Sequence, residues 1–201
     1  MTRRTTASRI ALVLAAFFLI DPVFAGGDAN FLLGVKSLDE DNWAPVEDHV
    51  AFGAEVTFGK ETWPIWIALD YFESAKTEED VPIDLGGFVV ARDLEGNTLE
   101  LDLGVRKIWG QGWGKEKRTR PYLGGGVGLM GAHFDAEFSS DEDFSLGVWA
   151  GGGIFWRLGS RFNIGATARW SKAQVELFGV DGEAGGLTYG LLLGWGWPAG
   201  S

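Results

Sequence analysis

Two histidines, His49 and His133, are the only imidazoles in the 201 residues, and there is no cysteine. A histidine beside a serine makes an activated nucleophile, and Ser139, Ser140 and Ser145 follow His133 closely, but nothing in their spacing demands that they meet it. Both histidines fall near one end of the strands deduced below, where rim residues at headgroup level are expected. Without cysteine there are no disulfides, thiol catalysis, Cys–metal sites or acylated N-terminal Cys. The triplets Asp39-Glu40-Asp41, Glu78-Glu79-Asp80 and Asp141-Glu142-Asp143 carry the oxygen ligands that Ca²⁺ or Mg²⁺ take. They lack EF-hand spacing, and solubility alone accounts for them. A last set stands apart: Lys36, Glu55, Asp70, Glu100, Asp102, Arg106 and Arg169 are single charges among glycines and small residues. Four acids and three bases on one narrow face should pair, because a buried charge that loses its partner costs about 3–5 kcal/mol. The expected role is a rigid plug of salt bridges in which Arg169 neutralises one or more of Asp70, Glu100 and Asp102. The functional alternative is a narrow, weakly cation-preferring pore or ligand pocket. No catalytic residue, cofactor site or metal-ligand set is assigned.

Composition limits what can position these groups. Gly is 31 of 201, with 10 Trp and 14 Phe but only 6 Pro and no Gly-x-y period. That excludes collagen and argues against a disordered Pro/Gly segment, and it asks for an architecture that uses glycine and aromatics together. A net charge of −11 argues against nucleic acid as a partner. Arg3, Arg4 and Arg9 precede the apolar run Ile10 to Ile20, which ends at Asp21-Pro22, and Val23-Phe24-Ala25 fits a small-x-small cleavage pattern. Residues 1–25 are therefore expected to be a cleaved signal peptide, the run being shorter than the roughly 20 residues of a spanning helix. Its removal takes away three Arg and one Asp, so −11 becomes −13.

From Phe31 onward apolar residues recur with period 2, the strand signature. Eight strands are expected at 31–37, 49–59, 64–73, 98–108, 121–134, 144–158, 161–174 and 186–197. Most have at least the 9–11 residues that a tilted membrane-spanning strand needs. One face, including Phe31, Leu33, Val50, Phe52, Ile67, Leu69, Leu101, Leu103, Val127, Leu146, Ile164 and Leu191, carries no charge. One Arg or Lys there at mid-membrane would cost about 2–4 kcal/mol. The other face holds fifteen small residues, from Gly34 and Gly53 to Gly194 and Gly196, and the seven charges. A soluble barrel would place bulky apolar residues inside; this second face fits the narrow lumen of an eight-stranded barrel, which large aromatics would overpack. Aromatics on the apolar face gather near strand ends, Phe58, Trp156, Phe162, Trp195 and Trp197 at one and Phe52, Trp170 and Tyr189 towards the other, as interfacial girdles do.

Connections alternate in length. Lys60–Trp63 and Gly159–Ser160 are tight, and 109–120 is intermediate; Leu38–Asp48, Ser74–Asn97, Ala136–Asp143 and Val175–Gly185 are longer and acidic. Short turns belong to the periplasmic side and long loops to the outside, which puts both termini in the periplasm. Leu85–Arg92, closed by Asp93–Asn97, is read as an outer hairpin that extends strand four or folds over the mouth.

The segment Pro121-Tyr122-Leu123-Gly124-Gly125-Gly126-Val127-Gly128 resembles the Pro-Tyr-x-Gly-x-Gly-x-Gly strand of the outer-membrane β-barrel superfamily, in particular OmpA- and OmpX-type domains. The stretch Tyr189-Gly190-Leu191-Leu192-Leu193-Gly194-Trp195 is similar to the insertion signal of that superfamily; its terminal Phe is absent, and Trp197 stands near its place ahead of Pro198-Ala199-Gly200-Ser201. The resemblance covers residues 26–201 as architecture. It implies an all-β, eight-stranded up-and-down transmembrane barrel in a Gram-negative cell envelope. It also implies insertion by the barrel-assembly machinery, a setting of outer-membrane lipids and lipopolysaccharide, and a monomer. Enzymatic barrels of this kind include lipid A deacylases, whose His-x-Ser pattern would need Ser at 135, where Asp135 stands. The expected role is thus non-enzymatic, structural or surface-interacting through the acidic outer loops. The alternatives are a narrow channel for ions or small apolar solutes and a lipid-modifying enzyme.

Overall fold

The computed structural model describes residues 26–60, 62–84, 89–109, 118–136 and 139–198; the expected signal peptide, 1–25, lies outside them. Eight strands close into one antiparallel barrel: β1 (Gly26–Ser37), β2 (Asp48–Gly59), β3 (Trp66–Asp84), β4 (Val89–Ile108), β5 (Thr119–Ala136), β6 (Ser139–Leu158), β7 (Phe162–Lys172) and β10 (Gly186–Trp197). Each strand pairs with its sequence neighbours around the ring, and β1 closes the ring on β10 with Phe31 opposite Leu193. Closure leaves no sheet edge, so every strand is paired on both sides. A small second sheet, β8 (Gln174–Leu177) with β9 (Val180–Glu183), and a one-turn helix, α1 (Glu40–Trp43), lie outside the ring sheet.

Period-2 alternation becomes the two faces of the wall. Along β7 the pattern is strict: Phe162, Ile164, Ala166, Ala168 and Trp170 are exposed, while Asn163, Thr167, Arg169 and Ser171 are buried. The exposed face forms an apolar belt. It contains Leu103 on β4 (57% exposed), Val127 on β5, Leu146 on β6 (81%) and Leu191 on β10 (68%). Its margin at the long-connection end is marked by Glu73 and Lys172 and that at the short-turn end by Lys107 and Arg161. Trp156, Phe162 and Trp195 stand at the short-turn end of this belt, and Trp170 and Tyr189 towards the other.

The strands differ from the alternation at their long-connection ends. β3 and β4 stay paired up to Asp84 and Val89, with a register shift between Glu78 and Val81 and Asp80 at φ 58°. Asp93–Asn97, expected as a turn, is part of β4, and residues 89–92 extend that strand; residues 85–88 lie outside those described. Likewise β5 and β6 pair up to Ala136 and Ser139, through what looked like a loop. These extensions stand above the apolar belt, where neither face needs to be apolar, so pairing continues after alternation has faded. Val175–Gly185, expected as a loop, holds all of the β8–β9 hairpin but its first residue, Gln174, which was expected to end the strand at 161–174, and Leu38–Asp48 contains α1.

Charge on the belt should be costly. Leu103→Arg, at the middle of the belt between Leu69 and Val127, is expected to destabilise the folded barrel in lipid vesicles by about 2–4 kcal/mol. The measurement is urea unfolding followed by tryptophan emission; an unchanged midpoint would mean that this face does not meet lipid.

Candidate functional site in the barrel lumen

All seven singled-out charges point inward and are buried, none more than 4% exposed. Inward positions are the even residues of β1, β3, β4, β5 and β10 and the odd residues of β2, β6 and β7. Glu55, Asp70 and Asp102 are register partners across β2, β3 and β4, so three carboxylates stand side by side in one row. Like charges placed directly opposite destabilise a sheet, and this row requires cations.

Two guanidiniums supply them. Arg106 Nη2 donates to Asp70 Oδ2 at 2.8 Å and Nη1 to Thr57 Oγ1 at 2.7 Å, with Glu55 Oε2 3.6 Å away. Arg169 sits on β7, diametrically opposite β3 in the ring. Its Nη2 reaches across the lumen to Asp102 Oδ2 at 2.7 Å and Glu100 Oε2 at 2.9 Å, and Nη1 lies 3.8 Å from Asp70 Oδ2. Lys36 Nζ completes the set, donating to Glu100 Oε1 at 2.7 Å, Thr98 Oγ1 at 2.8 Å and the Ala184 carbonyl at 2.8 Å. Ser171 Oγ also donates to Glu100 Oε1. The Tyr122 hydroxyl lies 2.8 Å from both Glu55 Oε2 and Thr167 Oγ1.

Large aromatics share the lumen, contrary to the expectation that they would overpack it. Phe72, Tyr122, Trp149 and Phe155 are all buried on the inner face. Trp149 lies between the guanidiniums, its ring 5.0 Å from Arg169 Cζ and 5.9 Å from Arg106 Cζ; Arg169 also stacks over Phe72 at 4.1 Å. Glycines make this possible. A Cβ at Gly104 would come within 2.7 Å of the Trp149 ring, and one at Gly153 within 2.9 Å of the Tyr122 ring. Leu32, Ala51, Phe72, Tyr122, Phe155 and Leu192 pack as one apolar cluster across the lumen.

Further polar groups escaped the sequence reading. At the short-turn end Asp28 accepts from Arg157 and from Asn163 Nδ2 at 3.0 Å, and Asn163 also donates to Asn30 Oδ1 at 2.9 Å. These residues precede Phe31 or stand alone on the small face; the signal was that alternation runs back through Asn30 to Asp28. At the other end His49 is not a headgroup-level rim residue. It faces inward, fully buried, with Nδ1 2.9 Å from Ser74 Oγ and its ring edge-on to Trp43 at 5.4 Å. No carboxylate orients its imidazole, and Nε2 has no hydrogen-bond partner. His133 is on the opposite parity, beside Glu142, and hydrogen-bonds to none of Ser139, Ser140 or Ser145.

The mouth at the long-connection end is closed by a cap. Leu38, Trp43 and Val46 from the α1 segment pack with Val175 from β8, Ala173, Ala184, Leu94, Met130, Ala132 and Trp149 as a second buried cluster. Trp43 Nε1 donates to the Glu183 carbonyl at 2.7 Å. Two of the acidic triplets serve this cap: Asp141 Oδ2 accepts the Phe178 N–H and Asp143 Oδ2 the Glu176 N–H, while Asp39 caps α1 through the Asp41 N–H; the third, at 78–80, belongs to the β3–β4 extension. Among the described residues no group of three His, Asp or Glu side chains is arranged to hold a metal ion.

A closed eight-stranded antiparallel barrel with an apolar exterior and a charged, filled lumen has the architecture of the OmpA/OmpX-type outer-membrane barrels. Solved structures bear out the likeness in fold. Ail, the attachment invasion locus protein of Yersinia pestis, crystallised with the heparin analogue sucrose octasulfate, superposes with a TM-score of 0.57 at 14% identity, over 87% of this chain and 99% of that one. The N-terminal barrel domain of Pseudomonas aeruginosa OprF gives 0.50 at 16% identity, over 86% and 97%, and the outer membrane protein OprG of the same species gives 0.50 at 14%, over 87% and 95%. No protein-family model matches the sequence, and no characterised protein matches it by sequence.

Removing the cross-lumen guanidinium should strand Glu100 and Asp102. Arg169→Ala is expected to lower barrel stability by about 3–5 kcal/mol, read as an earlier urea midpoint in detergent micelles. Arg169→Lys should recover only part of the loss, because an ammonium is a point charge without the planar fork that spans two carboxylates.

Proposed function

We propose that this chain is an integral protein of a bacterial outer membrane, exported through a cleaved signal peptide at 1–25 and inserted by the barrel-assembly machinery. It is non-enzymatic and monomeric, surrounded by outer-membrane lipids and lipopolysaccharide, with a structural or surface-interacting role carried by its acidic outer end. The observation that carries this reading is the uncharged belt around a closed ring whose interior is already filled.

A conducting role has less support. An open path along the axis would have to displace the Leu32–Phe155–Leu192 layer, break the Arg169 bonds to Glu100 and Asp102, and lift the Trp43 cap. An enzymatic role has less still, because the one hydrogen-bonded His–Ser pair among the described residues, His49 and Ser74, is buried beneath that cap without an acid to orient it. Surface charge separates this chain from a binder of sulfated sugars. The long-connection end carries Asp39, Glu40, Asp41, Glu47, Asp48, Glu78, Glu79, Asp80 and Asp181, and such a surface repels polyanions.

Four measurements test the reading. Membrane fractionation should place the protein with the outer membrane, and it should migrate faster on an SDS gel unboiled than boiled. Because the chain has no cysteine, Val180→Cys at the tip of the β8–β9 hairpin offers a single label. A membrane-impermeant maleimide is expected to label it in intact cells; labelling only after lysis would reverse the orientation. Planar bilayers with purified protein should show no stable conductance steps, and steady single-channel openings would favour the pore instead.

A further inference from the structure

The cap leaves a cleft on its upper side. One wall is the β8–β9 hairpin, which turns at Phe178 and Gly179 with φ of 53° and 76°. Left-handed backbone is uncommon for a bulky residue, and here it is held by two anchors: the Phe178 N–H on Asp141 Oδ2 at 2.6 Å and the Phe178 ring edge-on to Phe134 at 6.4 Å. The other wall is α1, fixed by the Asp39 cap, by Asn42 Nδ2 on Asp39 Oδ2 at 2.6 Å, and by Trp43 on the Glu183 carbonyl. Between them lies a cleft of about 260 Å³, near the small end of ligand pockets.

Its chemistry is two-sided. Trp43, Phe134, Val175, Leu177, Phe178 and Val180 make an aromatic and aliphatic bed, and Asp41, Asp181 and Glu183 stand at its edge. Glu183 is engaged by Lys172 Nζ at 2.6 Å. Asp41 and Asp181 are exposed and form no ion pair. Phe178 (49% exposed) and Val180 (67%) are apolar side chains held open on an otherwise acidic surface.

We propose that this cleft binds the protonated-amine end of a small apolar compound, with its ring or alkyl body on Phe134, Leu177 and Phe178 and its ammonium between Asp41 and Asp181. Charge complementarity selects this occupant. A surface of this sign concentrates cations and repels anions, and aromatic faces favour an ammonium further. A neutral compound would gain only from the apolar bed. The inference rests on the outer-end reading above and deepens it by naming the ligand chemistry.

The test uses the whole barrel in nanodiscs, which expose both ends to solution, so it does not depend on the orientation that the maleimide label reports. The probe is 2-phenylethylammonium, compared with 3-phenylpropanol and 3-phenylpropionate by ligand-observed NMR titration. The amine should saturate a single site about tenfold more tightly than the carboxylate, with the alcohol between them. Asp41→Asn with Asp181→Asn should weaken the amine by about fivefold and leave the alcohol unchanged. Val180→Trp, at an exposed position, should fill the cleft and abolish saturable binding of all three while the unboiled gel band keeps its mobility. Equal affinity for amine and carboxylate, an amine affinity indifferent to the double substitution, or no saturable amine binding would each overturn the proposal.

Discussion

Three carboxylates in one row, Glu55, Asp70 and Asp102, impose the condition around which the lumen is arranged. Adjacent strands bring them together before any side chain has chosen a partner, and in a dry interior their repulsion is large. Arg106 answers from the neighbouring strand and Arg169 from the far wall. A guanidinium that spans the lumen links strands that share no backbone hydrogen bonds. Ring closure on β1 and β10 holds the wall, and the arginines hold its opposite sides at a set distance. Buried ion pairs are weak evidence for net stability, because desolvation offsets much of their attraction. Their consequence here is specificity: any slip of register by one residue would turn the row of acids onto the apolar belt.

The same constraint explains the unusual composition. Guanidiniums in a narrow lumen need neighbours that are large, flat and free of competing charge. Trp149 and Phe72 supply such faces, and Gly104 and Gly124 give Trp149 its space. Glycine on the wall and Trp149 across it are therefore complementary parts of one packing solution, while Trp156, Trp170 and Trp195 face outward on the belt.

Most of the wall was legible in the sequence, because a belt that must stay uncharged and an interior that must stay small write opposite rules on alternate residues. All eight ring strands, and the inward placement of Lys36, Glu55, Asp70, Glu100, Asp102, Arg106 and Arg169, follow from that parity. What was not legible lies where the rule lapses. The β3–β4 and β5–β6 extensions rise past Glu73 and Lys172, where both faces tolerate polar residues. The β8–β9 hairpin is too short to show a period, and its strongest local cue, Phe178-Gly179, puts a bulky residue where turn chemistry favours Asn or Asp. Trp149 and Phe155 were hidden for a different reason. Parity placed them inside, but their size argued against it, and only the glycines facing them in three dimensions resolve the conflict.

Filling the lumen also decides where interaction can happen. A barrel whose axis is crossed by an apolar layer and a set of ion pairs has no interior surface to offer a ligand. Its belt is committed to lipid. Surface with shape remains at both ends of the ring: a cleft of about 320 Å³ at the short-turn end, beside Arg120, Arg157 and Trp197, and the cap, where α1 and β8–β9 form a separate small core on top of the ring. That core is anchored in the barrel by Lys36, whose ammonium binds Glu100 below and the Ala184 carbonyl above. One side chain thus joins the ionic lumen to the cap. A rigid, filled wall joined by that side chain to a separately packed cap is the arrangement that these contacts support.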